Sequence, residues 1–453
     1  MQKSFTEFSL QQLSALLDSR EISSVELVQS LIEYIKKTEP AIGAFALLTP
    51  EHALKQAQKS DERRKKGMQV NIIDGIPFGV KDIFDTKGIL TEAGSEIYKG
   101  RVPEKDSRVV ELLQKNGAVL LGKTITTEFA DGHPPSTKNP WNPHHTPGGS
   151  STGSAVAVAS RMLPYALGTQ TVGSVLRPAA YNGIIGLKPT FGLISRTGIV
   201  PQSQSCDTVG IFTKSVNDAW LVLQSIYGYD SRDKQSSEKS NSVTPKNQSI
   251  ISAVKPRIGF LKDYFIQESE EEVRESTLGA VGCIANNGGS VEEVSLNINF
   301  PEGYKAQRVI QQSEMAEWHE HLYLKYSGLY KAVTLEYIRS GFPHTAIDYI
   351  RAKSIRTEMQ FKALDALKSF DVLLSPTASG LPPSDLSRTG DTRFQSPWSF
   401  TGFPSIALPN GISSEGLPLS IQVIGKPFEE EKLLEVAQWI EAILGRLPSP
   451  FQD

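Results

Sequence analysis

Cysteine is nearly absent from this chain, with Cys206 and Cys283 the only two in 453 residues. Two thiols can make neither a disulfide framework nor a four-ligand structural zinc site, so a reducing compartment is expected. An excess of either charge is missing too: 47 Lys and Arg stand against 50 Asp and Glu, a net charge of −3. Without a basic surplus the electrostatic grip on nucleic acid is lacking, and nucleic acid is not expected as a direct partner. No apolar run approaches the ~18 residues of a membrane span. The opening Met1-Gln2-Lys3-Ser4-Phe5-Thr6-Glu7 has no apolar core of a secretory leader. A cytoplasmic protein without membrane contact is therefore expected. What is present is ordinary globular composition, 39% hydrophobic and 21% charged, on a chain long enough for one large core or several domains of ~150 residues.

Residues 1–65 read as a helical arm. Ser9 with Gln12 and Ser23 with Glu26 have capping-box spacing, and Leu27, Val28, Leu31, Ile32 and Ile35 recur at helical period. From Asp74 onward, short apolar runs alternate with Gly and Pro. Residues 76–80 and 117–122 read as buried strands with a helix at 107–115 between them. Strands are also expected at 258–261, 372–374, 406–409 and 419–425, and helices at 270–286, 306–330, 346–369 and 430–444. Alternating strands and helices indicate an α/β protein with a parallel or mixed sheet. Residues 230–255, rich in Ser, Lys, Asn, Gln and Asp, read as a polar exposed loop.

Several motifs compete for the chemistry. Gly117 to Thr124 satisfies the G-x4-G-K-[ST] pattern of a phosphate loop, yet Ala118-Val119-Leu120-Leu121 is an apolar run suited to a strand, not to an open turn. Gly149-Ser150-Ser151-Thr152-Gly153 matches the G-x-S-x-G elbow, which would make Ser151 a nucleophile. It follows a loop with His144 and His145, however, and not a buried strand. His319 and His321 would point apart on a helix and make a poor metal pair. There remain Gly79-Val80-Lys81-Asp82, Pro147-Gly148-Gly149-Ser150-Ser151-Thr152-Gly153-Ser154 and Gly168-Thr169-Gln170-Thr171-Val172-Gly173-Ser174. A lysine buried at a strand end would lose charge and could act as a base for a serine nucleophile. Small residues beside Ser150 and Ser174 would let backbone amides approach a substrate carbonyl. The plainer alternative stays open at this level: Lys81 pairs with Asp82, and the Gly/Ser tracts are tight turns.

Over nearly its whole length the sequence resembles the amidase signature family. The resemblance rests on Gly148-Gly149-Ser150-Ser151-Thr152-Gly153-Ser154, on residues 166–179 through Ser174, Arg177 and Pro178, on Gly186-Leu187-Lys188-Pro189-Thr190, and on Lys81 in Gly-Val-Lys-Asp. It extends to Ser205-Cys206-Asp207, Ser375-Pro376-Thr377 and the stretch ending in Gln422. The resemblance implies one α/β/α domain over residues 1–453 around a large mixed sheet. It also implies a Ser-cisSer-Lys relay in which Ser174 is the nucleophile, Ser150 the bridging serine on a cis peptide and Lys81 the terminal base. The oxyanion hole would be the N–H groups of Thr171, Val172, Gly173 and Ser174. No metal or organic cofactor is implied. The expected reaction is cleavage of carbon–nitrogen bonds other than peptide bonds, in linear amides, through an acyl-enzyme. The expected partners are a small-molecule amide and water, with a homodimer left open.

Two departures bear on this expectation. The commonest family pattern has Asp-Thr-Gly-Gly-Ser with an arginine two residues after the nucleophile. Here Gln170-Thr171-Val172-Gly173-Ser174 is followed by Arg177, which suggests an ion pair replaced by other packing. A β-branched Val172 requires negative φ. The Gln-Thr-x-Gly-Ser-Val-x-Arg-Pro pattern resembles a subgroup of stand-alone bacterial amidases that includes carboxybiuret hydrolase-like members. Secondly, the stretch between Glu128 and Trp141 lacks the longer segment, with a Gly-Ser-Ser-Thr-Glu-like sequence, of the glutaminase subunits of tRNA-dependent amidotransferases. A free amidohydrolase is therefore ranked above such a glutaminase subunit. A carbamate or urethane hydrolase and an inactive scaffold complete the alternatives. By position, the stretches 126–133 and 199–204 and the loop with Trp398, Phe400 and Phe403 are expected near the substrate, with Thr126, Glu128, Phe129, His133 and Gln204 singled out in the first two. An apolar, aromatic pocket would favour acyl or aryl amides.

Overall fold

The computed structural model describes residues 5–242 and 255–451. Among them eleven strands form one mixed sheet: β1 Phe45–Leu48, β2 Pro77–Lys81, β3 Val119–Thr124, β4 Tyr165–Gln170, β5 Ile185–Lys188, β6 Thr208–Thr213, β7 Arg257–Phe260, β8 Ser290–Glu293, β9 Val372–Pro376, β10 Ser405–Ile412 and β11 Pro418–Ile424. Their order is β1-β3-β2-β4-β6-β5-β10-β11-β9-β7-β8. β2 runs parallel to both β3 and β4, and β7 parallel to β8 and β9, while the central pairs are antiparallel. The central strands β2 to β6 and β11 are buried along their whole length, which explains why β2, β3 and β11 read as continuous apolar runs rather than alternating ones, whereas β4, β5 and β6, broken by Gly, Thr and Lys, fall where no strand is expected from sequence.

The arm contains the expected helices Leu10–Asp18 and Ser24–Ile42, each opened by its capping box at Ser9 and Ser23. It is not helical throughout: β1 pairs antiparallel with β3 and forms the sheet edge before the helix Pro50–Lys65. The helices at 271–286, 300–326, 346–366 and 430–444 lie where periodicity placed them. The 230–242 part of the polar stretch is less exposed than its composition suggests. Asp230, Asp233 and Ser240 are buried, because Asp230 pairs with Arg232 and Asp233 with Arg196. The remainder of that loop, 243–254, lies outside the described residues. No described helix is long and apolar enough to cross a membrane.

Candidate active site

The geometry starts from two parallel neighbours. β2 and β4 pair in the register Phe78↔Tyr165 and Val80↔Leu167, so their carboxyl ends come side by side. Open α/β sheets bind ligands at such ends. β2 ends on Lys81, and β4 ends on Gln170 and hands over to the 171–174 loop. Ser151 draws the loop before the helix Thr152–Ala159 onto the same strand end: its Oγ donates to the Thr169 carbonyl at 3.0 Å and accepts from Thr169 N–H at 3.2 Å. That tie delivers the adjacent Ser150, whose peptide bond to Gly149 is cis.

Lys81 is wholly buried. Its Nζ lies 2.8 Å from Ser150 Oγ and 3.0 Å from Thr169 Oγ1. Burial pushes its pKa down to about 7, and the more distant Asp207 opposes that only in part. The plainer reading, an ion pair with Asp82, does not hold. Asp82 pairs with Lys123 at 3.3 Å and accepts from Glu92 N–H. Ser150 and Ser174 both line a cavity of about 600 Å³, without a hydrogen bond between them.

The 171–174 loop is held by its carbonyls. Gln307 Nε2 donates to the Thr171 carbonyl at 3.0 Å, and Ser399 Oγ donates to that of Val172 at 2.7 Å. Thr171 Oγ1 donates to Asp207, which also accepts from the N–H groups of Gln202 and Ser203. With the carbonyls tethered, the N–H groups of Thr171, Val172, Gly173 and Ser174 have no acceptor among the described residues. That is the arrangement an oxyanion needs. Val172 has negative φ, as its β-branch requires. Gln170 and Arg177 do not meet. Gln170 Oε1 accepts from the N–H groups of Val175 and Leu176, and its Nε2 donates to Ser399. Arg177 instead donates to the carbonyls of Gly149 and Gly390.

The competing motifs are absorbed by structure. Residues 119–124 of the phosphate-loop pattern are β3, with Lys123 Nζ donating to the Phe84 carbonyl and Thr91. Ser151 is buried and bonded to Thr169, and His145 Nδ1 bonds the Pro382 carbonyl. His319 is buried beside Tyr330, and that burial pushes its pKa down to about 3.

Of the stretches expected near the substrate, 126–133 lines the cavity through Thr127, Ala130, Asp131 and Gly132 and 199–204 through Gln202, but none of the eight residues singled out does, and those need correction. Trp398, Phe400 and Phe403 belong to an apolar core with Phe265 and Phe394. Phe129 packs among Tyr98, Trp318, His319 and Tyr330. Glu128 accepts from Ser95 Oγ and Lys331 N–H. Thr126 donates to the Thr127 carbonyl, and His133 and Gln204 are exposed. Polar side chains outnumber apolar ones in the lining, with Asp131, Arg177, Gln202, Gln307, Arg308 and Tyr337 among them. Asp131 carried one signal, as a lone charge between Ala130 and Gly132. The residues on the helix Phe300–Tyr326 carried none, since locally they are ordinary helix positions.

A buried lysine beside a serine at the carboxyl ends of parallel strands is an arrangement suited to acyl transfer by a serine. A family model described as Amidase matches residues 26–434. The chain belongs to the amidase signature family. It is similar to a glutamyl-tRNA(Gln) amidotransferase subunit, of the A type, from Trichormus variabilis, 34% identical with 95% of this chain and 96% of that one covered. Among solved structures it is similar to a chain from a vestigial protein complex bearing on the evolutionary origins of an s-triazine catabolic enzyme. That likeness has a TM-score of 0.87 at 27% identity and covers 98% of this chain and all of that one. The native peptide amidase of Stenotrophomonas maltophilia is also similar, with a TM-score of 0.84 at 28% identity and 99% of both chains covered.

Proposed function

We propose that the chain is an amidohydrolase that cleaves a carboxylic amide through an acyl-enzyme on Ser174, with Ser150 and Lys81 as its proton relay. One observation carries this reading: a buried lysine whose hydrogen-bond partners among the described residues are two hydroxyls, with its pKa pushed down to about 7. With the amine neutral, an N–H donates to Thr169 and the lone pair accepts from Ser150 O–H. Ser174 Oγ attacks the amide carbonyl carbon while its proton passes to Ser150 Oγ and that of Ser150 passes to Lys81. The oxygen that gains charge is met by the free N–H groups of residues 171–174. As the C–N bond breaks, Ser150 protonates the leaving nitrogen and is reprotonated by Lys81. Water then attacks the acyl carbon through the same relay, releasing the acid and restoring Ser174. The chemistry serves carbamates and esters equally well, so the acyl and leaving groups are selected by the cavity.

The names of the curated relatives favour a second reading, the glutaminase subunit of a tRNA-dependent amidotransferase. Purified chain incubated alone with a panel of amides separates the two. Ammonia or amine release, with an acyl adduct on Ser174 by mass spectrometry, is the expected result. Turnover that appears only with partner subunits and charged tRNA would reverse it.

A further inference from the structure

The helix Ala346–Ala366 is apolar on two sides. Its inner side carries Ala352, Met359 and Ala363, buried in the core that also holds Trp398 and Phe400. Its outer side carries Ile347, Ile350, Phe361 and Leu364, which are between 41% and 68% exposed. Single exposed apolar side chains are normal on a protein surface, but these four share one row. With Ser354 and Thr357, both exposed, they follow alternating steps of three and four residues, the a and d positions of three consecutive heptads. At 1.5 Å per residue the row is about 26 Å long, and no described element covers it.

The row is also complementary to itself. An antiparallel copy of the helix, related by a two-fold axis at the level between Ile355 and Arg356, sets Ile347 against Leu364, Ile350 against Phe361 and Ser354 against Thr357, each pair twice over. Large side chains then meet at both ends and small ones at the crossing. The two hydroxyls can be covered without stranding a donor, because Ser354 Oγ already donates to the Ile350 carbonyl and Thr357 Oγ1 to that of Lys353. Beside the row, the same axis brings Arg351 of each copy next to Glu358 of the other, opposite charges at both flanking sites. A parallel pairing would stack Phe361 on its own copy and leave Arg351 beside Ala346. A net charge of only −3 puts little repulsion between copies.

We propose that this face is the contact between two copies of the chain, packed as an antiparallel helix pair about a two-fold axis through the middle of Ala346–Ala366. Sedimentation velocity on the full chain at micromolar concentration is expected to show a dimer. Phe361→Glu sets a charge against Ile350 and should weaken association roughly 100-fold or more. Its circular dichroism spectrum should not change, since this side chain is exposed in the single chain. Arg351→Glu should weaken the dimer, and combining it with Glu358→Arg should restore it, which a parallel pair would not show. Cys283 is exposed, so crosslinking uses a Cys283→Ser background. There Ile347→Cys with Leu364→Cys should give a disulfide-linked dimer on mild oxidation. Ile347→Cys alone should not, because its two copies would lie about 26 Å apart. A chain that stays monomeric would overturn the proposal, as would a dimer that Phe361→Glu leaves intact or one that Ile347→Cys alone links.

Discussion

Arg177 Nη2 donates to the carbonyl of Gly149 at 2.6 Å, so a residue three positions after Ser174 grips the peptide that presents Ser150. Its Nη1 donates to the Gly390 carbonyl, which fixes the guanidinium from the far side. Arg177→Ala releases both carbonyls. Because a shift of about 1 Å at a reacting group can cost ~10²-fold in rate, kcat is expected to fall by that order. Lysine at this position lacks the two-headed grip and should restore only part of it. Steady-state kinetics on the three proteins checks this.

In the proposed relay, activity depends on neutral Lys81. Its folded pKa is lowered to about 7 from 10.5. The protonated, inactive form therefore dominates below about 7 and the free amine above it. Accordingly kcat/KM should rise about tenfold per pH unit on the acid side and level off above 7. Lys81→Ala should remove the activity together with this limb. A profile that falls as pH rises through 7 would contradict the assignment.

Ser174→Ala is expected to abolish turnover, by roughly 10⁴- to 10⁶-fold, as for other nucleophile deletions, with an unchanged circular dichroism spectrum. Ser151→Ala removes the two bonds to Thr169 that bring Ser150 to the strand end and should cost stability on the order of 1 kcal/mol and lower turnover in part, far less than Ser174→Ala. His145→Ala should be mild. Complete loss in the histidine variant would instead favour a histidine-based triad.

Gly153 allows the helix Thr152–Ala159 to approach the arm. A Cβ there would stand far inside contact distance of the Ala44 carbonyl oxygen and of Ile125 N, both backbone atoms that cannot turn aside. Gly153→Ala should therefore destabilise the protein by ~1–3 kcal/mol or more, read from urea unfolding. Gly279→Ala, where a Cβ meets nothing within 4 Å, is the matched control and should not destabilise.

Much of this was legible locally. The capping boxes at Ser9 and Ser23 mark real helix starts, and continuous apolar runs mark the buried strands, because burial on both faces removes alternation. β1 escaped notice because Phe45–Leu48 is short and lies between two helices, and its identity depends on pairing with β3. The aromatic pocket misled for a related reason. Trp398, Phe400 and Phe403 are apolar enough for either a core or a cavity wall, and only the packing of Phe265 and Phe394 against them decides.

The order of residues along the chain determined the alternation of strands and helices, the types of side chain available at 81, 150 and 174, and the need for negative φ at Val172. Those properties depend on neighbours a few positions away. Whether Lys81 would meet Asp82 or Ser150, which residues would face the cavity, and that Asp131 would be buried against Gln202 were decided by tertiary structure. Each depends on the parallel pairing of β2 with β4 and on a helix more than a hundred residues further on. Burial and proximity of that range are properties of the folded arrangement, and no local stretch of sequence encodes them.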